Sequence, residues 1–182
     1  MSSLDQISSS IDAAVSNFAK NTPALERRLM ELLDATIKEL EVRNGSILSN
    51  VNNLKKINDI KRKFGKIILN NDYLKQVKSF TNAFQRVSDL QIGYLSQFNE
   101  KFTPLKTASV LQEMAIDNTI DSLTESGLNE AVSKPIMDML KSSVVGGGSY
   151  SELVESLRKS ILSSEGKPSI LDKHIATVTK DA

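Results

Sequence analysis

A chain of 182 residues with 40% hydrophobic residues, only 5% aromatic and no tryptophan is too lean in bulky side chains for a large, near-spherical core. Extended helices packed side by side suit it better. The formal net charge of +1 gives no global pull toward nucleic acid or an anionic membrane, and the absence of cysteine excludes disulfides and thiolate metal sites.

The chain opens on MSSLDQISSS, which lacks the basic start and apolar run of a secretion signal. Together with the lack of any apolar run near the roughly 18 residues of a membrane span, this predicts cytoplasmic synthesis and no membrane partner. Within residues 1–20, Leu4, Ile7, Ile11, Ala14, Val15 and Phe18 recur at spacings of three and four, the signature of an amphipathic helix. Its serine-rich opposite face is a mediocre helix former. The arm therefore reads either as a loosely packed N-terminal helix or as one that docks in a partner's groove.

Thr22-Pro23 is a helix start, a capping hydroxyl followed by proline at the first helical position. The next run carries its stripe through Leu25, Leu29, Leu32, Leu33, Thr36, Ile37 and Leu40, and Asn44-Gly45 marks a break or sharp turn. From Ile47 to Ile68 apolar residues still recur at three and four. This stretch also holds Lys55, Lys56, Lys61, Arg62, Lys63 and Lys66 against a single acid, Asp59. It reads as a solvated face with a positive bias, or as a patch for nucleic-acid phosphates or an acidic partner.

After Asn70-Asn71-Asp72, a turn and cap, comes the most regular helix, Tyr73 to Phe102. Tyr73, Phe80, Val87 and Tyr94 form one line of a seven-residue repeat, and Val77, Phe84, Gln91 and Phe98 the other. Gln91 is the one polar residue on that seam. The seam predicts a helical hairpin in which residues 24–69 fold back on it, or a surface shared between subunits. In the second case Val77, Phe80, Phe84, Val87, Tyr94 and Phe98 are the oligomer or partner contacts.

Thr103-Pro104 repeats the helix-start device. A stripe through Leu105, Ala108, Leu111, Ala115, Ile116, Thr119, Ile120 and Leu123 follows, and Gly127 suits a left-handed cap. A short helix from about Asn129 has Pro135 limiting or kinking its first turns. Gly146, Gly147 and Gly148 then stop it and read as a hinge. Ser149 and Glu152 have the spacing of a capping box for the next helix, and Ser169 with Asp172 marks one more. The last helix reaches Ala182 without a stop signal and reads as cut short, by processing or by the boundary of the chain.

No residue pattern indicates catalysis, a cofactor or a metal. GGGS before a helix lacks the lysine and hydroxyl spacing of a phosphate loop, His174 stands without cysteine or a second histidine, and no carboxylates are paired in sequence. The chain is read as non-enzymatic.

One family resemblance rests on PIMDMLKSSVVGGGSYSELVESLRKSI and the following LDKHIATVTKDA. Short helices, a glycine-bearing turn at Gly146–Gly148, an acidic leucine-bearing helix over 149–161 and an Ile-Ala helix at Ile175-Ala176 resemble the minor head (head morphogenesis) proteins of tailed bacteriophages, over about 104–182. Thr177 and the residues after it stand where members usually carry arginine-threonine-glutamate. The resemblance implies a structural virion component near the head or portal vertex, assembled in the host cytoplasm. Portal and capsid proteins and further copies of the chain would be its partners. The alternatives are a cytoplasmic helical adaptor or scaffolding protein, and a nucleic-acid-associated protein using Lys55–Lys66. The expected architecture is all-α in three parts: an amphipathic arm at 1–20, an elongated long-helix hairpin or bundle at 24–102, and a cluster of short helices at 104–182.

Overall fold

The computed structural model describes residues 3–98 and 106–181. In chain order these form α1 (Ser3–Ala19), α2 (Thr22–Ile37), a minimal hairpin of β1 (Val42–Arg43) and β2 (Ser46–Ile47), α3 (Val51–Ile68), α4 (Asn71–Phe98), α5 (Lys106–Leu123), α6 (Glu125–Leu128), α7 (Lys134–Val145), α8 (Tyr150–Ile161) and α9 (Ile170–Asp181). The class is all-α. Leu105, Thr103-Pro104 and the expected continuation of α4 to Phe102 lie outside the described residues.

The stripes read from sequence explain most of the packing. Leu25, Leu29, Leu33 and Ile37 of α2 meet Ile57, Ile60, Phe64 and Ile68 of α3 in one buried cluster. Onto this pair pack α7 and α8, burying Ile136, Leu140, Leu153 and Leu157. Each fully buried aliphatic side chain contributes about 2 kcal/mol of transfer free energy. The long helix α4 has other main partners. It packs against α1 on one side and α5 on the other, forming a three-helix arm. The expected hairpin of residues 24–69 on the α4 seam is therefore replaced by α1 on α4. Phe18 settles this pairing, with its ring centroid 5.9 Å from Tyr73 and 5.3 Å from Phe80.

The break at Asn44-Gly45 is a two-residue hairpin turn. Asn44 (φ 51°) and Gly45 (φ 79°) both have positive φ, which the mirror-image turn favoured between paired strands requires. Behind it lies a polar clasp. The Asn53 side chain is wholly buried, accepts from the Glu41 amide at 2.8 Å, and donates to the carbonyls of Glu41 (3.0 Å) and Leu48 (2.8 Å). Asn50 caps α3 by accepting from the Asn53 amide at 2.8 Å and donates to Glu41 Oε2 at 2.7 Å.

Three local expectations are corrected. Thr22 lies within the first turn of α2 rather than capping it, with its hydroxyl buried and without a protein partner. Gly127 is not left-handed. Its Cα instead approaches the Ser122 backbone so closely that a Cβ would fall 2.0 Å from the Ser122 carbonyl oxygen. Pro135, expected to limit or kink the first turns of its helix, stands at the start of α7, and the turn before it is a π-helix over Asn129–Ser133. One extra residue per turn there relieves the clash between a proline ring and the carbonyl four residues back. Gln91, expected on a buried seam, is exposed.

Asn53→Leu removes the clasp and strands the Glu41 amide. A loss of about 3 kcal/mol is expected, read as a lower urea midpoint with unchanged slope. Tyr73 gives a pH signature. It is buried, its hydroxyl donates to the Leu123 carbonyl at 2.9 Å, and burial raises its pKa above the ordinary 10.0. Above about pH 10 the unfolded chain releases this proton while the folded chain keeps it. Stability therefore falls as pH rises through that range. Unfolding midpoints measured on either side of pH 10 are expected to show this decline, and Tyr73→Phe to reduce it.

Candidate functional site

Among the described residues no group of histidine, acidic or cysteine side chains is placed to hold a metal ion. His174 is occupied locally, with Nε2 donating to the Ser122 carbonyl at 2.7 Å. This bond ties α9 to the end of α5. The features with functional content are surfaces, and the residues singled out in the sequence fall into three places.

The first is the arm. Val77, Phe80 and Val87 are buried within the chain, beneath α1 and beside α5, so they are core contacts of this chain and not a free seam. Phe84 and Tyr94 are half-buried. The Phe98 side chain lies outside the described residues. Further along, both helices leave large apolar residues in solvent. Leu90 and Leu95 of α4 are exposed, as are Val110 (53%), Leu111 (61%) and Met114 (55%) of α5. Leu111, expected on the inward stripe, is on the outside. At roughly 100° per residue, the inward face of α5 runs through Ile116, Thr119, Ile120 and Leu123. Val110, Leu111 and Met114 occupy the opposite side, interleaved with the exposed acids Glu113, Asp117 and Asp121.

The second is α3. Its basic residues do not form one patch. Lys55, Arg62 and Lys66 share the outermost line with Asp59, and Arg62 is paired with Asp59. Lys56 turns to a flank and donates to the Glu39 carbonyl. Lys63 lies on that flank, also exposed. Lys61 turns to the opposite flank, where it and Arg62 edge an open groove of about 650 Å³. Phe64, Ile68 and Leu128 lie buried behind its floor, Leu69 is half-buried at its side, and Ser126 and Asn129 form the far edge. The exposed Gly65 leaves this groove open on the α3 side, since a Cβ built there meets nothing within 4 Å.

The third is the glycine turn. Gly148 donates to the Ser143 carbonyl (2.8 Å) and Gly147 to the Val144 carbonyl (3.3 Å), with Gly147 at φ 61°. These are the two bonds of a Schellman helix end. Beyond it the chain is bound to the hairpin. Ile47 donates to the Gly148 carbonyl and Tyr150 to the Gly45 carbonyl, both at 2.9 Å. Gly146–Gly148 thus form a docked turn where a hinge was expected. Ser149 Oγ accepts from the Glu152 amide at 3.4 Å and caps α8.

Sequence reading missed one buried charge. Glu26 is 2% exposed, and its Oε2 accepts from the amide (3.0 Å) and hydroxyl (2.9 Å) of Ser163. These bonds fasten the loop after α8 to α2. The only signal in the sequence is an acid adjoining the Leu25–Leu29 stripe, which resembles any solvated glutamate.

Compared with family models, with curated proteins and with solved structures, the chain has no significant match.

Gly147→Ala forces a side chain into left-handed backbone and is expected to cost about 1–2 kcal/mol. Gly65→Ala, in open space on a helix, is expected to gain about 0.5–1 kcal/mol. Thermal unfolding of both variants checks the contrast, and equal shifts would count against the docked turn.

Proposed function

We propose that this chain is a structural assembly component, working by docking uncovered helix faces of its arm onto neighbouring proteins. The tailed-phage particle near the head or portal vertex is the setting that the resemblance of residues 104–182 implies. The observation that carries the reading is α5. It is apolar on the face turned to α4 and again on the face turned to solvent, where Val110, Leu111 and Met114 are each more than half exposed. A helix apolar on both sides is characteristic of one covered on both sides. Isolated exposed apolar residues need no explanation. Three within five positions on one side of one helix form a group.

The test uses particles purified from the producing cells. The chain is expected to sediment with them at a fixed copy ratio. Leu111→Ser with Met114→Ser should lower that content at least about tenfold while leaving the circular dichroism spectrum unchanged. Particles that form normally without the chain, or a doubly substituted chain retained in full, would remove the reading.

A further inference from the structure

We infer that the outward face of α3 is a binding surface for the phosphate backbone of duplex DNA, contacted without regard to base sequence. It uses a different element from the docking reading above and does not depend on it.

The first observation is how charge is divided along the chain. The whole is close to neutral, with 23 bases and 22 acids. α3 holds six of those bases and one of those acids within 18 residues. At about 100° per residue, Lys55, Lys56, Arg62, Lys63 and Lys66 fall within an arc of roughly 120°, directed away from the buried Ile57, Ile60, Phe64 and Ile68. Lys61 turns to the other flank and takes no part. Asn52 and Asp59 are the only other residues of α3 in that arc. Asp59 is paired with Arg62. Lys55, Lys63 and Lys66 are exposed and have no carboxylate partner among the described residues. Lys56 donates to the backbone carbonyl of Glu39, a neutral acceptor that leaves its charge in place.

The composition of the face selects the partner. A protein interface depends on a desolvated centre of apolar or aromatic side chains, and this arc has none. A helix lying on a membrane sinks its apolar side into the lipid, whereas the apolar side of α3 is part of the core of this chain. What remains is a row of cations about 16 Å long. A DNA duplex carries one negative charge per about 1.7 Å of its axis, so such a row meets several phosphates at once. Lysine ammonium groups bind phosphate as point charges, and phosphate contacts carry no sequence information. Single strands are held by aromatic side chains on which bases stack. Phe64, the one aromatic residue of α3, is buried. The duplex is therefore the form that this face fits.

Fluorescence anisotropy of a labelled duplex of about 30 base pairs, titrated with the full chain between about 50 and 200 mM salt, tests this. Affinity is expected to fall with salt at a slope of about −3 on logarithmic axes, about one unit from each of Lys55, Lys63 and Lys66. Lys55→Gln and Lys66→Gln should each reduce the slope by about one unit, and together should weaken low-salt binding at least about tenfold. Lys78→Gln makes the same change of charge on α4 and should leave the slope as it was. All three lysines are exposed, so the circular dichroism spectrum should be unchanged in every variant. No binding at low salt, an affinity indifferent to salt, or an equal loss with Lys78→Gln would each overturn the inference. So would tighter binding to a single strand of the same length or to vesicles of anionic phospholipid. Duplex binding and particle content are separate readouts, so the failure of either reading leaves the other standing.

Discussion

The fold depends on one buried side chain, Asn53. Three groups of the 41–48 connection are hydrogen-bonded to it, and it sits at the first turn of α3, so it sets how α2 hands the chain to α3. The hairpin it supports offers the Ile47 amide and the Gly45 carbonyl to the segment between α7 and α8. A polar group buried with its bonds made is nearly neutral in net energy but costly to leave unpaired. The clasp therefore works less by adding stability than by excluding other registers of the α2–α3 pair. A second buried polar contact, Glu26 Oε2 with Ser163, fastens the other end of α8, although Glu26 Oε1 is buried without a protein partner. Between them, α8 is held at both ends against the N-terminal half.

The arm follows a different rule, set by how much of each helix its neighbours can cover. Tyr73 pins the C-terminal end of α5 to the start of α4, and Phe18 of α1 packs against the Tyr73 and Phe80 rings. A helix packed on one side turns only part of its circumference to its neighbours. Val110, Leu111 and Met114 stand on the side of α5 turned away from α4 and are left in solvent.

Much of the local structure was legible before any coordinates. The stripes of α2 and α3 gave the buried residues with few errors, because a helix that must bury one face repeats at three and four. Ser169 and Asp172 make reciprocal bonds at the start of α9, since a cap needs only residues three apart. The surfaces were less legible. The six bases of the Lys55–Lys66 stretch are close in sequence but point to different sides of α3, since neighbours on a helix are separated by about 100°. Leu111 fitted the inward stripe of α5 as well as the outward one, because that helix is apolar on both. The glycine triplet carried the flexibility of its residue type, and only the bonds from Ile47 and Tyr150 turn it into a fixed corner.

The sequence by itself determined the class, several of the helix starts and stops, and the inward face of most described helices. These follow from chemistry within a few residues of each position. Only the tertiary structure decided that α1 rather than residues 24–69 covers the α4 seam. It also decided that Glu26 and Asn53 are interior, and that Val110, Leu111 and Met114 of α5 are left outward. Each of these depends on which elements meet across the fold, and a period of 3.6 residues records that a face is buried but not what buries it.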